Sequence, residues 1–201
     1  MASPAKIARE IITLEPRFAP VIESSGLCPI GTAARNESNF RSLATSIISQ
    51  QLSTKAAATI ISRVETITGG ITPRRVSEVS VAKLRSAGLS HSKARAISEL
   101  AEAEREIKFS RLHLIEEDEE IYQRLLPLFG IGRWTVEMFL IFQLGRVDIW
   151  PTGDLGVRRG WEKVHRMRSE ISPKDLEIKG ERFRPYRSHL AWYCWRALEQ
   201  K

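Results

Sequence analysis

The sequence predicts an all-α protein. Apolar residues recur at helical spacing along most of the chain, no stretch shows the strict alternation of a half-buried strand, and there is no low-complexity tract or long linker. At 201 residues, 42% hydrophobic and 27% charged, the chain is long enough to bury a core without disulfide or metal staples.

In chain order, Leu43, Ile47 and Ile48 form one apolar stripe, and Ala56, Ala57, Ile60, Ile61 and Val64 form a second. Gln50-Gln51-Leu52-Ser53 separates them, with Ser53 or Thr54 placed to cap the second helix. Gly69-Gly70 stops that helix and Pro73 opens a new segment. A short helix over Val79–Ala87 ends at Gly88. Ser90 or Ser92 then caps a helix running to about Ile107, with Ala94, Ile97, Leu100 and Ala101 inward. Glu116–Glu120 reads as a solvated first turn, and Ile121, Leu125 and Leu126 as the buried face that follows. Residues 133–144 are apolar on nearly every side, so a buried helix is expected there; a buried strand is the alternative, and length favours helix. Pro151 breaks the chain, Gly153-Asp154 restarts it through about Val164, and Leu190, Ala191, Cys194 and Leu198 mark a last helix. Leu84–Lys93 and Leu128–Thr135 are weakly alike, each a pair of helices joined through glycine.

Composition excludes several chemistries. Two cysteines cannot build a four-cysteine zinc or iron–sulfur site, and four scattered histidines make no metal-binding pair. No apolar run approaches the ~18–20 residues of a membrane span, and the opening MASPAKIAREIITLEP lacks the apolar stretch of a secretory signal. The net charge of +7 fits a polyanionic partner, most often nucleic acid, although many soluble proteins are simply basic.

Three features carry chemistry. Gly130-Ile131-Gly132 allows a tight turn between helices, with the first N–H groups of the next helix facing outward and Arg133 beside them. Such a helix start binds phosphate oxygen without reading sequence; the alternative is a turn with no ligand, and a dinucleotide fold is disfavoured because no strand precedes the glycines. Asp154 opens a helix, where an aspartate is ordinarily only an N-cap. Trp134, Met138 and Ile141 fall on one face of the 133–144 run, and the last helix carries Trp192, Tyr193 and Trp195. Core packing accounts for most tryptophans, but Trp134 and Trp195 near Asp154 would wall an aromatic pocket with a carboxylate at its base.

With these motifs the sequence resembles the helix–hairpin–helix DNA glycosylases, and within them the AlkA/Mag-type 3-methyladenine DNA glycosylases. The residues that carry the resemblance are Ile47–Ser53 with Ala56-Ala57, Ala87–Ser90 with Lys93-Ala94, Gly130–Val136, Pro151–Leu155, and Arg184–Ser188 with Ala191–Tyr193 and Trp195. The resemblance implies one glycosylase unit over 1–201, made of two interlocked helical lobes with the active site in the cleft between them. The lobe holding the hairpin is expected at about 37–148 and the second at about 1–36 plus 149–201. It assigns catalysis to Asp154 and the base pocket to Trp134, Met138 and Trp195. Gly130, Ile131, Gly132, Arg133 and Thr135 become the phosphate-binding hairpin, with Na+ or K+ on its backbone carbonyls. Gln51 and Leu52 become the wedge that fills the gap left by the flipped base. No other cofactor and no side-chain metal ligand is expected.

Bifunctional relatives place a lysine nucleophile two residues after the last hairpin glycine; here Trp134 stands there. The resemblance therefore implies a monofunctional enzyme that hydrolyses the N-glycosidic bond of 3-methyladenine or 7-methylguanine, without lyase activity. The expected partner is duplex DNA carrying alkylated bases, with no membrane and a monomeric chain, wherever genomic DNA lies: cytoplasm and nucleoid, or a nucleus. A glycosylase for a deaminated or oxidised base, and a non-catalytic DNA-binding module, are the alternatives.

Overall fold

A computed structural model of the chain describes residues 2–32 and 37–200, and their regular structure is entirely helical. Thirteen α-helices are found among them: α1 (Pro4–Leu14), α2 (Ala19–Ser25), α3 (Asn39–Ser49), α4 (Thr54–Thr68), α5 (Pro73–Ser77), α6 (Val81–Ser86), α7 (His91–Glu102), α8 (Glu104–Ile107), α9 (Asp118–Leu125), α10 (Arg133–Met138), α11 (Leu155–His165), α12 (Pro173–Gly180) and α13 (Arg187–Glu199). Short polar residues start most of them. Ser3, Ser38, Ser53, Thr72, Ser80, Ser90, Asp154 and Ser172 each accept the backbone N–H three residues on, and each such cap stabilises by about 1 kcal/mol.

The helices form two units, residues 35–139 and residues 1–34 with 140–201. In the first, α7 is the hub: α3, α5 and α6 pack on it through buried Ala94, Ala96, Ile97, Leu100 and Ala101. Leu43, Ile47 and Ile48 of α3 are fully buried, each worth roughly 1.5–3 kcal/mol relative to exposure. In the second unit both ends of the sequence meet. α1 and α2 pack on α13, and α13 lies along α11. Phe18 is wholly buried beside Trp161, with ring centroids 6.0 Å apart. Cys28 and Cys194 are buried free thiols.

The structure departs from the expected elements in four places. The helix after Ser90 is interrupted at Ala103, so α7 and α8 are separate, and a left-handed Lys108 (φ 52°) ends the second. Leu126 is 40% exposed because α9 ends at Leu125, which takes the core position alone. The 133–144 run is not one buried α-helix. α10 stops at Met138, a π-turn follows over Phe139–Gln143, and Trp134 and Phe142 are 45% and 58% exposed. Ile141, buried, falls in that π-turn rather than on a helical face shared with Trp134 and Met138. Against boundaries expected near 37 and 149, residues 140–148 pack with the terminal unit. The Ser188 N–H donates to Val147 O (2.9 Å) and Arg187 pairs with Asp148 (2.8 Å), tying this segment to α13.

Candidate active site

Asp154 is held in the terminal unit by two donors. It is the N-cap of α11, and its Oδ1 accepts the Val157 backbone N–H (2.8 Å) and the Trp195 indole N–H (2.9 Å). The cap fixes the side chain to its own helix, and the indole fixes it to α13. Sequence reasoning missed how the second contact arises. Gly156 and Gly160 lie one turn apart on the face of α11 that meets α13. A Cβ on Gly160 would sit 2.0 Å from Cys194 O, and one on Gly156 would sit 2.8 Å from the Trp195 ring. Only bare backbone lets α13 come this close, and that approach lays Trp195 on the carboxylate. The signal was two glycines four residues apart, the spacing of one helix face. Cys194 lies in the same place: burial first, and then the Asp154 charge, push its thiol well above the ordinary range.

The segment leading to Asp154 is anchored by the start of α13. Arg187 grips Asp148 with two side-chain bonds, Nε to Oδ1 (2.8 Å) and Nη2 to Oδ2 (3.1 Å). The Ile149 N–H donates to Ser188 Oγ (2.8 Å). Trp150 sends its indole N–H to Leu176 O (2.9 Å), and the Asp154 N–H then closes a turn on Pro151 O (2.9 Å). Two exposed apolar side chains also belong here. Phe142, carried outward by the π-turn, lies 5.5 Å from Trp195, ring centroid to ring centroid at 33°. Leu155, next to the carboxylate, is 56% exposed. π-turns recur at functional positions because the extra residue re-aims a side chain, and Phe142 is an aromatic the sequence reading left out.

The hairpin, Trp134 and Met138 belong to the other unit. Gly130 has φ +83°, and a Cβ there would meet Ala96 Cβ at 2.7 Å; turn and packing both demand glycine. Gly132 differs: it is the extended N-cap of α10, and a Cβ there would meet nothing within 4 Å. Ile131 and Thr135 are buried, so their side chains hold the hairpin to its own unit. Arg133 reaches the solvent at 71% side-chain exposure while its Nε pairs with Glu137 (3.1 Å) and its guanidinium lies over the Tyr122 ring (4.9 Å). Met138 is half-buried. Gln51 and Leu52 form an exposed tip between α3 and α4, and Gln51 adopts left-handed backbone with φ 57°. The structure thus brings Asp154 to Trp195, and keeps the hairpin and the 51–52 tip in one unit.

Comparison with known proteins gives consistent results. The model of the HhH-GPD superfamily base excision DNA repair proteins matches residues 44–185. DNA-3-methyladenine glycosylase 1 of Schizosaccharomyces pombe is 35% identical over 167 residues, covering 78% of this chain and 71% of that protein. Among solved structures, the S. pombe 3-methyladenine DNA glycosylase in complex with abasic DNA superposes with a TM-score of 0.85 at 28% identity, covering 97% of each chain. A DNA-3-methyladenine glycosidase from Bacillus halodurans gives 0.83 at 33% identity, covering 97% of this chain and 89% of that one. Both the glycine hairpin and Asp154 fall inside the matched span, and the chain belongs to the HhH-GPD superfamily of base excision DNA repair proteins.

Proposed function

We propose that this chain is a monofunctional DNA glycosylase that hydrolyses the N-glycosidic bond of alkylated purines in duplex DNA. The observation that carries the proposal is the oriented carboxylate: Asp154 Oδ1 is fixed by Trp195 Nε1 at 2.9 Å and by the start of α11. A phosphate-binding module has no use for such a group.

A purine alkylated at N3 or N7 is already cationic. When its bond to C1′ breaks, the electron pair goes to the base, which leaves neutral and needs little acid assistance. The charge that develops is on the sugar, which becomes oxocarbenium-like, as in other glycoside cleavage. A preorganised carboxylate stabilises that cation, and it can accept the proton that water loses as its oxygen bonds to C1′. Trp134 occupies the position where a lysine would act as nucleophile, so water is the attacking group and no Schiff base forms. Trp134 also supplies an exposed indole, whose face attracts a cationic base over a neutral one by ~0.5–2 kcal/mol. The outward N–H groups at the start of α10 serve the DNA backbone, which is read without regard to sequence. A monovalent cation on the hairpin carbonyls belongs to the same proposal.

Chromatography of methylated DNA incubated with the protein tests it. Free 3-methyladenine is expected, together with abasic sites that remain uncleaved, and borohydride should trap no covalent adduct. Intact methylated DNA, or a trapped adduct, would overturn the assignment.

A further inference from the structure

The turn between α3 and α4 is fastened at its α3 end by two anchors, one from α7 and one to the glycine hairpin. Lys93, on the first turn of α7, points its ammonium at the end of α3. Nζ donates to Ile48 O (2.8 Å) and to Gln50 O (2.5 Å), carbonyls at the C-terminus of that helix. Burial lowers the amine's pKa, and no carboxylate lies within ion-pair distance of it among the described residues. A half-buried lysine without an acidic partner is costly unless its donors are well used. Here they close the negative end of α3. On the other side, Gln50 Nε2 donates to Gly130 O (3.1 Å) and to Thr135 Oγ1 (3.4 Å), both in the glycine hairpin. Immediately after these anchors comes Gln51, in left-handed backbone that a non-glycine residue rarely holds, followed by exposed Leu52. Such backbone persists where the surroundings over-determine it.

We infer that Lys93 is a positioning residue: it fixes the 51–52 tip in register with the glycine hairpin, so that gripping the phosphates and filling the vacated base stack happen as one rigid event. This rests on the glycosylase proposal only in giving the tip a base stack to fill. A tip that inserts into duplex DNA is pushed back by the stack it opens. Without Lys93, α3 loses its end cap and the tip gives way, while the phosphate contacts remain.

The test is a binding measurement that requires no excision. Full-length protein is titrated onto two duplexes, one intact and one carrying an abasic-site analogue beside a 2-aminopurine reporter. Lys93→Met should lower the preference for the abasic duplex about tenfold or more, the scale of losing one hydrogen bond from a charged group. The 2-aminopurine signal should report a less open stack. Affinity for intact duplex, and the slope of log affinity against log salt, should be unchanged. Gln50→Ala, which cuts the opposite anchor, should act in the same direction, and it serves where Lys93→Met does not fold. An unchanged abasic preference in folded variants would reduce Lys93 to a helix cap. Equal losses on both duplexes with a salt slope shallower by ~0.9 would make it a phosphate contact. Either result overturns the inference. If the parent releases no methylated base yet shows this pattern, the glycosylase proposal fails and the positioning role stands.

Discussion

At Asp154, capping and catalysis make opposite demands that one substitution separates. Asparagine keeps the size and the cap oxygen that Val157 and Trp195 share, so Asp154→Asn should fold with little change in melting temperature. It removes the charge, and single-turnover release of 3-methyladenine should fall by at least ~10²–10³-fold, the cost of one preorganised electrostatic group. Near-parental excision would leave Asp154 only a cap. The residue could be singled out from its place after Pro151-Thr152-Gly153, but its hydrogen bond to Trp195 spans 41 positions of sequence and depends on two glycines whose role appears only when α11 and α13 are seen together. Phe142 was hidden for another reason. A continuous apolar run reads as buried on all sides, and nothing in residue type signals the π-turn that turns one ring outward.

At the scale of elements, the two hairpin glycines should part company. Gly130→Ala forces a left-handed alanine onto Ala96 and should destabilise the central unit by ~1–3 kcal/mol, weakening intact and damaged duplex alike. Gly132→Ala has the room its geometry allows. It should melt within about a degree or two of the parent, and any loss of DNA affinity then measures how closely a phosphate approaches that backbone. Unchanged affinity in Gly132→Ala would leave Gly132 as turn geometry alone. Most central helices could be read in advance because Ser53, Ser90, Gly69 and Pro73 mark their ends by local chemistry. α1, α2 and α12 escaped: their apolar faces, such as Ile7 and Ile11, are short and gain meaning only against distant partners. The break at Ala103 has no composition signal at all.

For the whole molecule, acid stability follows from His189. It is 1% exposed, neither ring nitrogen has a hydrogen-bond partner among the described residues, and burial pulls its pKa down to about 4. An unfolded histidine titrates near ~6.5. Between these values the unfolded chain takes up a proton that the native one refuses, so stability declines as pH drops from about 6.5 toward 4. At pH 5 the contribution reaches roughly 2 kcal/mol. Urea midpoints at pH 7 and pH 5 should show this loss in the parent, and His189→Leu should show a shallower pH dependence. Equal slopes in the two proteins would show that His189 is not the group responsible.

The terminal unit is closed by the first and last helices of the sequence, and that joins its assembly to the tempo of synthesis. A ribosome adds roughly 5–20 residues per second, so α2 is complete roughly 9–35 s before α13 is finished. Residues 35–139 can collapse in that interval, since the whole unit is one continuous stretch already synthesised. Ile7, Ile11, Phe18, Val21 and Ile22 have only one another until α11 and α13 are made, and must pass the wait with much of their apolar surface uncovered. The unit that carries the carboxylate is therefore the last to exist, and the slower the ribosome, the longer its opening helices stand exposed to aggregation.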